Sequence, residues 1–141
     1  GVMPESQYHI NYVKKIVSYV ESTFSADEVA FMLSDSADCP ERCPKVIGGF
    51  VPDVYVKTAR FAIIGEAKTD NDIENDHTTV QINSYIEELR SHTECSKHII
   101  LCSSMLLFAT LKNMIIRKKR KEQLDDITFH ILDNYKNIAT I

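Results

Sequence analysis

Apolar residues recur near the N-terminus at Ile10, Val13, Ile16/Val17, Val20 and Phe24, the spacing that lines one face of a helix; the pattern predicts an amphipathic helix from Ser6 to Phe24. The pattern then changes. Glu28 to Leu33, Phe50 to Lys57 and Arg60 to Lys68 are short runs rich in β-branched and aromatic residues, which predict three strands. Helical spacing returns with Ile82, Ile86 and Leu89, on a helix that Asp76 or Thr78 can cap and that runs to about Thr93. Lys97 to Ser103 is a strongly apolar strand. Met105 to Gln123 follows as a helix and Ile127 to Leu132 as a last strand. This alternation predicts one α/β domain over residues 1–141: a central mixed β-sheet flanked by helices.

The second and third strands are joined near Thr58-Ala59, a link short enough for an antiparallel hairpin. Side chains alternate faces along a strand, so Glu66 and Lys68 share one face. A hairpin centred on Thr58-Ala59 sets Asp53 opposite Ile64, on the face of Glu66. The two acids are then diagonal neighbours, about 7–8 Å apart at the backbone. A slip of one residue would send Asp53 to the other face.

An aspartate, a glutamate and a lysine converging at the end of an apolar hairpin suit a particular chemistry. Carboxylate oxygens prefer hard cations such as Mg²⁺, which keep waters and leave room for a phosphate. The ion relieves the repulsion between the acids, activates a water and stabilises charge growing on a phosphoryl group. Lys68 can position the attacking water, help deprotonate it or neutralise the pentavalent intermediate. A structural salt bridge among the three residues is the bland alternative. One turn apart on the next helix, Gln81 and Tyr85 present a polar pair that can support such a site.

Pro52-Asp53, Glu66-Ala67-Lys68 and Gln81-Ile82-Asn83-Ser84-Tyr85 together resemble the PD-(D/E)XK nuclease superfamily, and the Gln-x-x-x-Tyr element resembles its RecB-like branch. The likeness covers about Gly48 to Leu89. It implies a restriction-endonuclease-like αβββαβ core, here with an additional C-terminal helix and strand. It implies a Mg²⁺- or Mn²⁺-dependent deoxyribonuclease, endonuclease favoured over exonuclease. Asp53, Glu66 and the main-chain carbonyl of Ala67 would hold the metal, with Glu21 on the first helix as a further ligand. Asp53, Glu66, Lys68 and Gln81 would be catalytic and Tyr85 supporting. DNA is the implied partner; a homodimer, or a place within a larger restriction or repair protein, stays open. The alternative is a catalytically inactive nuclease-fold module for nucleic-acid binding or assembly.

The rest of the chain adds less. Arg117-Lys118-Lys119-Arg120-Lys121 is the densest charge run in a chain of formal net charge −4, and either grips DNA phosphates or offsets the dipole of its helix. Cys39 and Cys43 have the spacing of half a zinc site, but Cys95 and Cys102 do not form a second tight pair; free thiols are expected. Thr69 to His77 is a polar loop bordering the site. It lacks the glycine that a calcium loop needs at its sharp turn. Hydrophobic residues are 44% and charged residues 26%, ordinary for a globular domain. With no apolar run of membrane-spanning length and no basic-then-apolar leader, a cytoplasmic location is expected.

Overall fold

Every residue from Phe61 to Ala67 is buried, which only a strand covered on both faces can achieve. The computed structural model describes residues 5–24, 32–33, 46–69 and 76–141. Within them, α1 (Glu5–Thr23), β1 (Met32–Leu33), β2 (Val54–Lys57), β3 (Phe61–Ala67), α2 (Asp76–Arg90), β4 (Ser96–Ser103), α3 (Phe108–Glu122), β5 (Ile127–Asp133) and β6 (Ile138–Thr140) follow in order. The strands form one mixed sheet in sequence order. β2 is antiparallel to β1 and β3, β4 and β5 continue parallel to β3, and β6 turns back along β5.

The sheet's two faces carry two cores. Tyr12, Ile16 and Val20 of α1 pack on Val54, Val56, Phe61, Ile63, Ile100 and Leu132. On the other face Ile82, Tyr85, Ile86 and Leu89 of α2, with Leu111 and Ile115 of α3, cover Tyr55, Ile64, Leu101 and Phe129. The expected apolar stripe on the first helix is thus rotated slightly: Tyr12 is buried, whereas Ile10 is exposed. Among the described residues no helix is long and apolar enough to cross a membrane.

α1 can lie close to β3 because residue 65 has no side chain. A Cβ on Gly65 would stand 2.8 Å from Ile16 Cγ2 and 3.1 Å from Val54 Cβ. Gly65→Ala is therefore expected to cost about 1–3 kcal/mol through overpacking. Chemical denaturation of the two proteins measures this; an unchanged urea midpoint would mean that α1 shifts freely.

Most expected elements form, with informed changes at their ends. Met32–Leu33 is the described part of the first strand; the remainder of Glu28–Leu33 and the Cys39–Cys43 segment lie outside the described residues. The third helix starts later than expected, because Met105–Leu107 makes a 3-10 turn, and stops at Gln123, whose left-handed backbone (φ 53°) closes it. β6 is not foreseen from the sequence. It is a three-residue edge strand, mostly exposed, and carries too little apolar pattern to announce itself.

A polar chain crosses the α1 face. Tyr19 O–H donates to His130 Nδ1 (2.7 Å), His130 Nε2 lies 2.9 Å from His98 Nδ1, and His98 Nε2 lies 3.1 Å from Ser96 Oγ. One assignment satisfies every donor: both imidazoles neutral, each with its proton on Nε2, and Ser96 O–H donating to the Arg60 carbonyl (3.3 Å). Burial, followed by the neighbouring His98, pushes the His130 pKa down to about 4.

Candidate metal centre

The site begins with a turn. Thr58 N–H donates to the Phe61 carbonyl (2.9 Å), and Thr58 Oγ1 accepts from the N–H groups of Arg60 (3.2 Å) and Phe61 (3.1 Å). The threonine hydroxyl thereby organises the corner, and the turn centres on Ala59-Arg60 rather than Thr58-Ala59. The strand register moves by two residues from the expected one: Val54 pairs with Gly65 and Tyr55 with Ile64. An even shift preserves faces. Continuing the pairing sets Asp53 directly across from Glu66, closer than the diagonal placement expected from sequence.

Each acid is fastened to the other's strand. Ala67 N–H donates to Asp53 Oδ2 at 2.8 Å, and Asp53 N–H to Glu66 Oε2 at 3.2 Å. Both side chains are buried, Asp53 5% and Glu66 9% exposed. Burial and the Asp53 carboxylate push the Glu66 pKa up to about 8, against the opposing pull of Lys68 and of the hydrogen bonds it accepts. Two acids held together out of water repel each other, and Lys68 offsets only part of that.

α2 supplies the brace. Gln81 Oε1 accepts from Lys68 Nζ while Gln81 Nε2 donates to Glu66 Oε1 (3.2 Å), so one amide joins the lysine to the glutamate. One turn later Tyr85 O–H donates to Glu66 Oε2 at 3.0 Å. Tyr85 is fully buried, and burial beside Glu66 holds its phenol pKa far above the ordinary range, which keeps it a donor. Lys68 is 3% exposed, and its backbone N–H donates to the Cys102 carbonyl (2.8 Å), tying the site to β4. Asp53, Glu66, Lys68, Gln81 and Tyr85 are thus brought together, with Ala67 between the two acids.

The sequence reading does not foresee His9. Its Nε2 lies 2.9 Å from Asp53 Oδ1, reaching the cluster from the first turns of α1. A signal was there: His9 lies three and seven residues before Tyr12 and Ile16, extending the buried stripe one turn toward the N-terminus. Glu21, the acid expected to complete the site from this helix, is exposed. It lies about 18 Å along the helix from His9, so the structure does not bring it to the cluster.

The basic run lies at the C-terminal end of α3. The acids sit where β3 ends, beside Cys102, whereas α3 descends to Ile127, which pairs with Lys97 near the start of β4. Arg117 to Lys121 occupy the last turns of α3, and Lys118 reaches α2 at Asn83, between Gln81 and Tyr85. Lys118 bonds Asn83 Oδ1 and Glu122 Oε2, each at 2.6 Å. His77 is exposed with its ring against Phe50, and Cys102 is a buried thiol whose pKa burial raises to about 12. An open pocket on α2, lined by Val46, Ile47, Gly48, Ser84, Glu87 and Glu88, does not include the cluster.

Among the described residues no group of three or more His, Cys, Asp and Glu side chains is arranged to hold a metal ion. His9 bonds Asp53 instead of converging with the acids. The donor set is two carboxylates and neighbouring main chain, which suits a hard cation that keeps most of its waters. Comparison with protein-family models, curated proteins and solved structures finds no match to this chain.

Proposed function

We propose that this protein is a Mg²⁺- or Mn²⁺-dependent hydrolase of DNA phosphodiester bonds, built on a restriction-endonuclease-like core of the PD-(D/E)XK type. One observation carries the reading: Asp53 and Glu66 are buried face to face on adjacent strands, with Lys68 held beside them through Gln81. The element order α1-β1-β2-β3-α2-β4, followed by α3 and β5, supports the core assignment.

The metal, when bound, would activate water and stabilise charge on the phosphoryl group. Asp53 and Glu66 would hold it, with the Ala67 carbonyl adjacent. Tyr85 and the Asp53 N–H fix the Glu66 carboxylate so that it need not reorganise during reaction. Lys68 acts as a cation: it donates to Gln81 and sits beside the carboxylates, placed to balance negative charge building on the phosphate oxygens. His9 holds the second oxygen of Asp53 and orients it.

The direct test is a panel of labelled duplex, single-stranded, nicked and branched DNAs incubated with Mg²⁺, Mn²⁺ or EDTA. Cleavage of at least one substrate is expected with either metal and none with EDTA. Lys68→Ala should lower the rate by at least about a hundredfold. Wild-type activity in that variant would reject the assignment.

A further inference from the structure

The C-terminal half of α1 is seated on a pair of imidazoles. His98 of β4 and His130 of β5 are diagonal neighbours on the α1 face, since Ile100 pairs with His130. Their facing nitrogens, His98 Nδ1 and His130 Nε2, are 2.9 Å apart. Hydroxyls take the outer nitrogens: Tyr19 bonds His130 Nδ1 at 2.7 Å and Ser96 bonds His98 Nε2 at 3.1 Å. Phe24, just past the end of α1, meets both rings edge-on, with centroids 4.8 Å from His98 and 6.0 Å from His130.

A gap of 2.9 Å between two nitrogens has room for one hydrogen, not two. With both rings neutral, His130 Nε2–H fills it and Tyr19 O–H donates to His130 Nδ1. A first proton can enter at His130 Nδ1. Tyr19 then turns from donor to acceptor, and the single hydrogen between the rings is kept. A second proton can go only to His98 Nδ1, because His98 Nε2 already carries its hydrogen. Two N–H groups and two positive charges would then meet head to head, and the rings must part.

The surroundings do not balance that charge. Among the described residues no carboxylate acts on either ring; burial, and for His130 the neighbouring imidazole, lowers their pKa values. Toward β3 the pair meets Phe61, through Phe24, and the chain of Arg60, itself a cation, whose carbonyl accepts from Ser96. Lys97 of β4 lies between Ser96 and His98 on the other face of its strand and donates to the Cys95 carbonyl. From β6, Thr140 meets His130 by main-chain pairing. On α1, Lys15 stands one turn before Tyr19 and donates to the Tyr135 carbonyl.

We infer that the His98–His130 pair is an acid-sensitive latch on α1, which takes one proton with the helix seated and a second only by releasing its C-terminal half. Both rings titrate below the ordinary histidine range, so the latch is closed at neutral pH and opens as pH falls. The same helix carries His9 to Asp53 at its other end, so the latch links acidity to one wall of the candidate site. It stands whether or not that site hydrolyses DNA.

The test is residue-resolved amide hydrogen exchange of the metal-free chain at pH 7 and pH 4.5, corrected for the intrinsic effect of pH on exchange. Each released ring gains about tenfold per pH unit below its ordinary pKa, so the amides of Tyr19 to Thr23 should lose protection by at least about a hundredfold. Those of β4 and β5 should keep theirs. These amides lie far from His9, so its own titration does not enter the reading. His98→Asn sets an oxygen where Nδ1 stood, which accepts from His130 and takes no proton; in that variant α1 should stay protected at pH 4.5. Protection of Tyr19 to Thr23 that is unchanged between the two pH values, or lost equally in His98→Asn, would overturn the latch. So would a joint loss across β4 and β5, because acid would then be unfolding the whole sheet. If His98→Asn does not fold, the wild-type comparison of α1 with β4 and β5 decides alone.

Discussion

Asp53→Asn is expected to abolish metal-dependent cleavage and at the same time to make the metal-free protein more stable. The loss follows from the proposed role: removing one of two carboxylate ligands forfeits several kcal/mol of charge stabilisation, about three orders of magnitude in rate. The gain follows from the buried geometry. Asp53 and Glu66 face each other, both buried, and the proximity of Asp53 is one of the causes that raise the Glu66 pKa. An amide keeps the acceptor used by the Ala67 N–H and offers His9 Nε2 an N–H in place of an oxygen. Above pH 8, where Glu66 is ionised, the repulsion disappears, which should stabilise the fold by about 1–2 kcal/mol and raise Tm by about 5 °C. Thermal unfolding in EDTA and in Mg²⁺ separates the terms. Mg²⁺ should raise Tm for the wild type and leave the variant where it was. A variant less stable than wild type in EDTA would show that the acids are held by their hydrogen bonds, with no stored repulsion.

The second large effect is a stability that falls as the solution becomes more alkaline. Folding raises the Glu66 pKa from 4.5 to about 8, so its contribution is complete below pH 4.5 and is lost as pH rises through 8. His130 works in the opposite sense: depressed from 6.5 to about 4, it contributes above pH 6.5 and loses that contribution as pH falls toward 4. The two oppose one another between 4.5 and 6.5, and the Glu66 slope continues above that. From pH 6.5 to 8 the metal-free protein should lose about 2 kcal/mol. Urea unfolding in EDTA at both pH values measures this. Glu66→Gln should flatten the profile, and a flat wild-type profile would mean that the acid is ionised throughout.

The expected stability cost falls on the residues proposed for catalysis. The same acids that would fasten a cation are the least comfortable groups in the core, and Tyr85, Gln81 and Lys68 restrain them without neutralising the pair. The His98–His130 pair is different. Its hydrogen bonds can all be made with both rings neutral, so its cost is confined to acid.

The order of strands and helices, the shared face of Glu66 and Lys68 and the pairing of Gln81 with Tyr85 were legible in the sequence, because each depends on local periodicity. Short repeats of two and of three to four residues survive any rearrangement farther along the chain. Three features needed the folded molecule. The hairpin register was set by the Thr58 hydroxyl capping its own turn, which no hydrophobic pattern reports. His9 in place of Glu21 was decided by which end of α1 reaches the end of the sheet where β3 stops. The course of α3, which crosses back to the start of the parallel strand β5 and sets Lys118 of the Arg117–Lys121 run against Asn83 of α2, follows from the fold alone. Local spacing fixes which face of an element a residue occupies; only tertiary packing decides which end of that element comes to lie beside the site.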